Sequence, residues 1–437
     1  PQELAELARR TAGWAAGLQL FHLATRGKTA VERRHVLQEL GLRSRLVREY
    51  LARNVLDDLP VHVRDFLVRT CVLGRLTPAL CDELTQSTSG ASILADLEQR
   101  QIFTAALDDG DSYRYHEVLR THLEAVLLET VGDREARARY RAGGQLLERH
   151  GYLPEALRAY LRAEDHEAAR RLLGGRGEQV IDRPGEWLDA LPPTLRDQDA
   201  WLLLGSARRS VALGRWDVAL DAYDRAVVVA GAAQPGDTAR RERQALASWF
   251  APPVPSPADW IGTLRLAVTH DPLGVVAARQ AALPPALRAL AGGFAALVAG
   301  EPLAALDQLA GVESARDASG LVAVGAGLLG AVADALRGDS VSRRLVAVSE
   351  QAEDLGVPWL AGIARAAAAV DITAGEGAPA PAKEDPWGSA LIDLFTGLGC
   401  LLRGGECERP LADAAAAFTA LDAGALAAWA IAGVAIA

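Results

Sequence analysis

His116 stands between a short run, Tyr113-Arg114-Tyr115, and an apolar-periodic stretch that opens at Glu117. An imidazole at the mouth of a helix can donate a ring N–H to an anion. The first backbone N–H groups there are unpaired, and the helix dipole presents its positive end. Arg114 and Arg120 flank the histidine. They would either support a bound phosphate or bridge Glu117 and Glu124 at helical offsets. A capped or core-edge histidine is the alternative reading of His116.

Other constellations carry less. The remaining histidines are scattered, and His122 lies on a different face of the same expected helix as His116. No zinc-binding His-Glu-x-x-His helix or Gly-x-Ser-x-Gly elbow occurs. Gly27-Lys28-Thr29 invites a phosphate-loop assignment, but His22 occupies the place of the leading glycine and residues 18–24 read as helix. Cys71, Cys81, Cys400 and Cys407 form neither a metal cluster nor a disulfide framework and fit a reducing compartment. The carboxylates mostly pair with arginine at helical offsets. No catalytic residue and no metal site are therefore expected. Trp187, Trp201, Trp249 and Trp260 gather in one part of the chain and could stack on a flat ligand or sugar. Trp216 shares that part of the chain but falls on a packing position, and packing is the alternative for the other four.

The elements that must position these groups are mostly helical. Half of the 437 residues are apolar, only 5% are aromatic, and alanine and leucine dominate. A net charge of −10 without basic runs argues against a protein that coats nucleic acid. No apolar run is long enough for a membrane span, and no signal peptide is visible, so a cytoplasmic protein is expected. The chain opens on Pro1 and contains no methionine, which suggests a piece of a longer protein.

Residues 44–132 read as helices ending in a hairpin. Residues 45–57 and 61–71 form the first two helices, with Val63, Phe66 and Leu67 facing inward in the second. Thr77-Pro78 is a helix-start signal, and Ser89 opens a helix that buries Ile93, Leu94 and Leu97. Asp108-Asp109-Gly110 supplies the turn between runs 102–107 and 113–115, and a helix follows over 117–129. This is a winged-helix pattern. The helix before the wing carries Arg100 against Asp96 and Glu98, and the wing tip is acidic, so direct DNA reading by this unit is not expected.

From 133 onward the chain repeats itself. Gly151, Leu153, Ala156, Tyr160 and Ala163 match Gly214, Trp216, Ala219, Tyr223 and Ala226 offset for offset. The spacing is that of a tetratricopeptide-like helix, in which a small residue admits a close neighbour and a tyrosine fills the gap. Weaker echoes lie at 165–173, Gly300, Gly338 and Gly404. Leu191-Pro192-Pro193 and residues 252–257 join helix pairs, and residues 375–386 read as a flexible loop. The expected class is all-α with a small β-hairpin wing: a winged helix followed by a TPR-like α-solenoid over 133–437.

Tyr113-Arg114-Tyr115-His116 followed by an apolar helix resembles the phosphate-sensing corner of STAND-class signalling ATPases. It is most similar to MalT-like, LuxR-type large transcription regulators. The resemblance extends to Gly13-Trp14-Ala15, where relatives carry a Gly-x-Pro turn against the adenine; here Ala15 replaces the proline. It implies that residues 1–43 end a nucleotide-binding module whose P-loop core lies upstream. His116 would touch the terminal phosphate of ADP or ATP, with Gly13, Trp14 and Ala15 near the base. The chain itself would hold no cofactor. Its solenoid would bind a small-molecule inducer or a protein partner, releasing autoinhibition and permitting nucleotide exchange and signal-dependent oligomerisation. DNA would be bound only by a domain outside this chain. The alternative is a TPR-like interaction scaffold with no nucleotide role.

Overall fold

A computed structural model describes residues 59–100, 102–107, 111–182, 185–189, 191–250, 260–269, 271–279, 282–315, 318–371 and 385–437. Gly13, Trp14 and Ala15, the whole of 1–43, the helix expected over 45–57, the wing tip 108–110, the loop 252–257 and most of 375–386 lie outside the described residues. The chain divides into two compact units, Pro1–Val180 and Ile181–Ala437.

The first unit opens with α1 (Val61–Thr70), α2 (Pro78–Thr85) and α3 (Gly90–Gln99). Val63, Phe66 and Leu67 of α1 are buried as their spacing predicts, as are Ile93, Leu94 and Leu97 of α3. The Thr77 hydroxyl accepts the Leu80 N–H at 3.1 Å and caps α2, with Pro78 in the first turn. Ser89 precedes α3 without capping it through its side chain. The Asp82 carboxylate does that work instead, accepting the Gly90 N–H at 2.7 Å. A Cβ on Gly90 would stand 2.8 Å from that same oxygen, so the position admits only glycine without a shift.

Strands β1 (Thr104–Ala106) and β2 (Tyr113–Tyr115) pair antiparallel, with Thr104 opposite Tyr115 and Ala106 opposite Tyr113. A single bridge from Leu76 to Tyr113 extends the wing by one partner. Helix α4 then spans Glu117–Arg149, well past the stop expected near 129. The reason is that residues 133–149 are also strong helix formers and continue almost end to end. Gly132 breaks the run at φ 77°, ψ 167°, a conformation open to glycine and strained for other residues, and so marks the expected boundary. Helices α5 (Leu153–Arg162) and α6 (His166–Val180) complete this unit. The first helix pair after the winged helix thus stands with it.

The second unit is helical throughout its described residues. After a 3-10 turn, Glu186–Leu188, come α7 (Pro193–Arg196), α8 (Ala200–Ala212), α9 (Trp216–Ala230) and α10 (Gln234–Ala247). Next are α11 (Trp260–Ala267), α12 (Pro272–Arg279), α13 (Pro285–Val298) and α14 (Pro302–Ser314). Then follow α15 (Gly320–Leu336), α16 (Ser342–Asp354) and α17 (Pro358–Ala367). The last three are α18 (Pro386–Leu402), α19 (Glu408–Ala420) and α20 (Gly424–Ile436). Among the described residues no helix is long and apolar enough to cross a membrane.

The repeat echo is physical. Gly151 and Gly214 both take positive φ between paired helices. Ala156 and Ala219 are wholly buried, and Tyr160 and Tyr223 nearly so. Neighbouring helices pair as a solenoid requires. The second unit adds ties that a nearest-neighbour stack lacks. The Trp387 indole donates to the Trp249 carbonyl at 2.8 Å, the Trp429 indole to the Val298 carbonyl at 2.7 Å, and the Ala425 N–H to the Val268 carbonyl at 3.1 Å. Helices α18–α20 therefore return onto the α10–α13 region.

Candidate functional site

Strand alternation sets the corner at His116. Tyr115 points into the first unit's core and is 3% exposed, so its neighbours face outward. The Thr70 hydroxyl donates to the Phe66 carbonyl at 2.7 Å, and the Tyr115 hydroxyl lies 2.8 Å from it as the donor that remains. Burial pushes the Tyr115 phenol well above its ordinary range, so it stays a neutral donor. Behind the wing, Arg75 donates to the buried Ser112 hydroxyl at 3.0 Å and lies 5.0 Å over the Tyr152 ring.

His116 sits where that strand becomes α4. Its N–H donates to the Phe103 carbonyl at 2.7 Å, and its own carbonyl accepts the Arg120 N–H at 3.0 Å, starting the helix. Its ring meets the edge of the Phe103 ring at 6.0 Å and 72°. The residue is half-buried as a whole, and the Nε2 of its ring is buried. Phe103 holds φ 47°, a left-handed value uncommon for a bulky residue. A strained residue thus braces the backbone and the ring of His116 from one side.

Of the two flanking arginines, Arg114 is exposed on β2. Arg120 bonds Glu117 at 2.6 Å and reaches Glu124 at 3.9 Å. Burial works against its charge, yet the two carboxylates outweigh burial and hold its pKa above the ordinary value. Glu124 also meets Arg162 of α5 at 3.0 Å, which ties α5 to the first half of α4. Arg158, one turn before Arg162, was not legible as a site residue. Its Nη2 lies 3.5 Å from Glu155, and its Nε is buried without a hydrogen-bond partner among the described residues.

The other candidates fall elsewhere. His122 is 6% exposed and lies apart from His116, and no metal-binding group of three or more His, Cys, Asp or Glu occurs among the described residues. Trp249 packs its ring against Trp387 at 5.0 Å, and Trp260 packs against the cores around Leu290 and Ala295. Trp187 is half-buried in the 3-10 turn, and Trp201 is half-buried in the first turn of α8. Arg100, which caps the C-terminus of α3, closes on Asp96 at 3.2 Å, and α3 itself carries no basic side chain.

Residues 52–135 match the family model of the MalT winged helix domain. The serine/threonine-protein kinase PknK of Mycobacterium tuberculosis is 29% identical over 300 residues, covering 67% of this chain and 26% of the kinase. The HTH-type transcriptional regulator MalT of Serratia proteamaculans is 29% identical over 227 residues, covering 48% of this chain and 24% of that regulator. Its counterpart in Klebsiella pneumoniae is 26% identical over 219 residues, covering 46% and 23%. The chain thus spans about a quarter of the length of the curated relatives it matches. Residues 52–135, with the helices and the two-stranded wing described above, thus carry a MalT-type winged helix domain, and the helical stack that follows is similar to parts of MalT regulators and of the kinase PknK.

Proposed function

We propose that this chain is the regulatory and sensor region of a STAND-class, ATP-dependent transcription regulator. The winged helix closes over a nucleotide held by an upstream module, and His116 gives a hydrogen bond to its terminal phosphate. The observation that carries the reading is the His116 corner: a backbone pinned to Phe103, a half-buried residue whose Nε2 is buried, and the head of α4 coincide at one position. Arg114 lies close by in sequence on β2, while Arg120 is already committed to Glu117 and Glu124 and orders the first turns of α4.

The helical stack takes an inducer or a protein partner. Its binding shifts the population toward an open state that exchanges ADP for ATP and oligomerises. The protein is a regulator rather than an enzyme in this region, and it reaches DNA through another domain. Titrating ADP into the intact protein tests the nucleotide contact. His116→Ala should weaken ADP binding about tenfold, the scale of one lost charge-assisted hydrogen bond. Equal affinity in the two proteins would refute it.

A second reading has a specific observation behind it. The kinase match covers more of this chain than either regulator match. An arm shared by proteins with different printed activities supports a protein-binding scaffold. Under that reading, ADP binds neither the wild type nor the variant.

A further inference from the structure

The seam where α5 leans on the first half of α4 is unevenly charged. Arg114, Arg120, Arg158 and Arg162 outnumber Glu117, Glu124 and Glu155 there. The acids are also unevenly shared. Arg120 holds two of them, and Arg162 shares Glu124. Among the described residues Arg158 pairs with Glu155, one turn back on its own helix and at a loose 3.5 Å. Its Nη2 packs 3.0 Å from the place a Cβ would occupy on Gly74, so the bare backbone of Gly74 lets the guanidinium settle there. The side chain keeps 32% of its surface, so an ion from solvent can reach it.

The charge state of the two arginines points the same way. Burial first, and then the nearby Arg120 and Arg114 charges, pull the Arg158 guanidinium below its ordinary range despite Glu155 and Glu117. Arg120, in the same seam, is held above its own. A cation in this position gains from an added anion, while one already paired does not. Nor does the repeat explain Arg158. The matching position in the second copy is Asp221, an exposed residue that faces Arg225 at 3.8 Å on its own helix.

We propose that this seam is an oxyanion site, with Arg158 as its main ligand and Arg114 as a supporting charge, and that it takes a phosphate-type anion. A planar guanidinium suits a tetrahedral oxyanion through the N–H groups of its partly exposed end, while the buried Nε gains from a nearby negative charge. The site lies within the described residues and needs no nucleotide module, so it stands or falls apart from the His116 contact. Its anion is either free phosphate, including that of a phosphorylated metabolite, or the phosphate of a nucleotide held by the intact protein.

The test compares thermal unfolding of the full 437-residue chain in millimolar potassium phosphate and in potassium chloride of equal ionic strength. Phosphate should raise Tm by about 2–4 °C over chloride. Arg158→Gln should reduce the apparent phosphate affinity about tenfold or more. Arg158→Lys, which keeps the charge without the fork, should fall between. Arg170→Gln, an exposed arginine of α6, should respond as wild type. In the intact protein, weaker ADP binding by Arg158→Gln assigns the anion to the nucleotide, and unchanged ADP binding with lost phosphate response assigns it to free phosphate. The proposal is overturned if phosphate stabilises no more than chloride, or if both Arg158 variants respond like wild type.

Discussion

The two units differ in where their notable polar side chains stand. In the second unit these groups close on the protein itself. Asp385 is 6% exposed and accepts the indole N–H groups of Trp216 at 2.8 Å and Trp359 at 2.6 Å, along with the Gly388 N–H at 2.9 Å. Arg265 is 1% exposed and donates to the carbonyls of Ser248, Leu421 and Asp422 at 2.9, 2.8 and 3.2 Å. Asp371 accepts the N–H groups of Val341 and Ser342 at 2.7 and 2.8 Å. In the first unit the notable groups stand at a rim: His116 is half-buried, and Arg158 is a third exposed. A polar group whose bonds are all internal holds the fold, whereas a partly exposed one such as Arg158, in loose contact with Glu155, has capacity left for an anion.

The largest expected effects break the internal set. Arg265→Met should destabilise the second unit by about 3–5 kcal/mol, because three carbonyls lose a charged donor inside the core. Asp385→Ala should cost about 3 kcal/mol, since two indole N–H groups and a helix start lose their acceptor together. Denaturant unfolding of the chain measures both. Losses under about 1 kcal/mol would erase the contrast between the units. His116→Ala, by comparison, should change stability by less than about 1 kcal/mol.

Overpacking gives a middle-sized test of likeness between the units. Ala156→Leu and Ala219→Leu occupy the same place in the two repeat copies, both wholly buried. Each should cost about 1–3 kcal/mol. A neutral change at one of them would mean that the two copies do not pack alike.

The smallest effect is alkaline. Burial, and then the bond its hydroxyl gives to the Glu148 carboxylate, push the Tyr160 phenol up from 10 to about 12. The folded state keeps that proton more tightly than the unfolded chain does. The stability it adds is therefore complete below pH 10 and is lost as pH rises toward 12. Tyr160→Phe should flatten that part of the stability–pH curve. An unchanged slope would place Tyr160 in water-like surroundings.

Local structure was legible where one turn or one helix face decides it. Thr77-Pro78 caps α2, and the inward faces of α1 and α3 follow their apolar spacing. The repeat offsets predicted the buried alanines and tyrosines at 156, 160, 219 and 223. The corner at His116 was legible because a strand feeding a helix fixes which residue heads it. The closure of the second unit was not. Trp216 is readable as a packing residue, but its indole partner Asp385 lies 169 residues away, and periodicity carries no information about such pairs. The loop expected over 375–386 is corrected at its end, where Asp385 caps α18 and Pro386 opens it, and that cap accounts for only one of the bonds the carboxylate accepts. Arg158 was hidden for a related reason. Its distinction is a shortage of partners, and that emerges only when α5 is set against α4.

The central claim is that His116 contacts the phosphate end of a nucleotide. Stopped-flow release of fluorescent ADP and of fluorescent adenosine from the intact protein, wild type and His116→Ala, tests it most directly. The account predicts ADP release about tenfold faster in the variant, with adenosine release unchanged. Unchanged ADP release, or equal acceleration for both ligands, would contradict it.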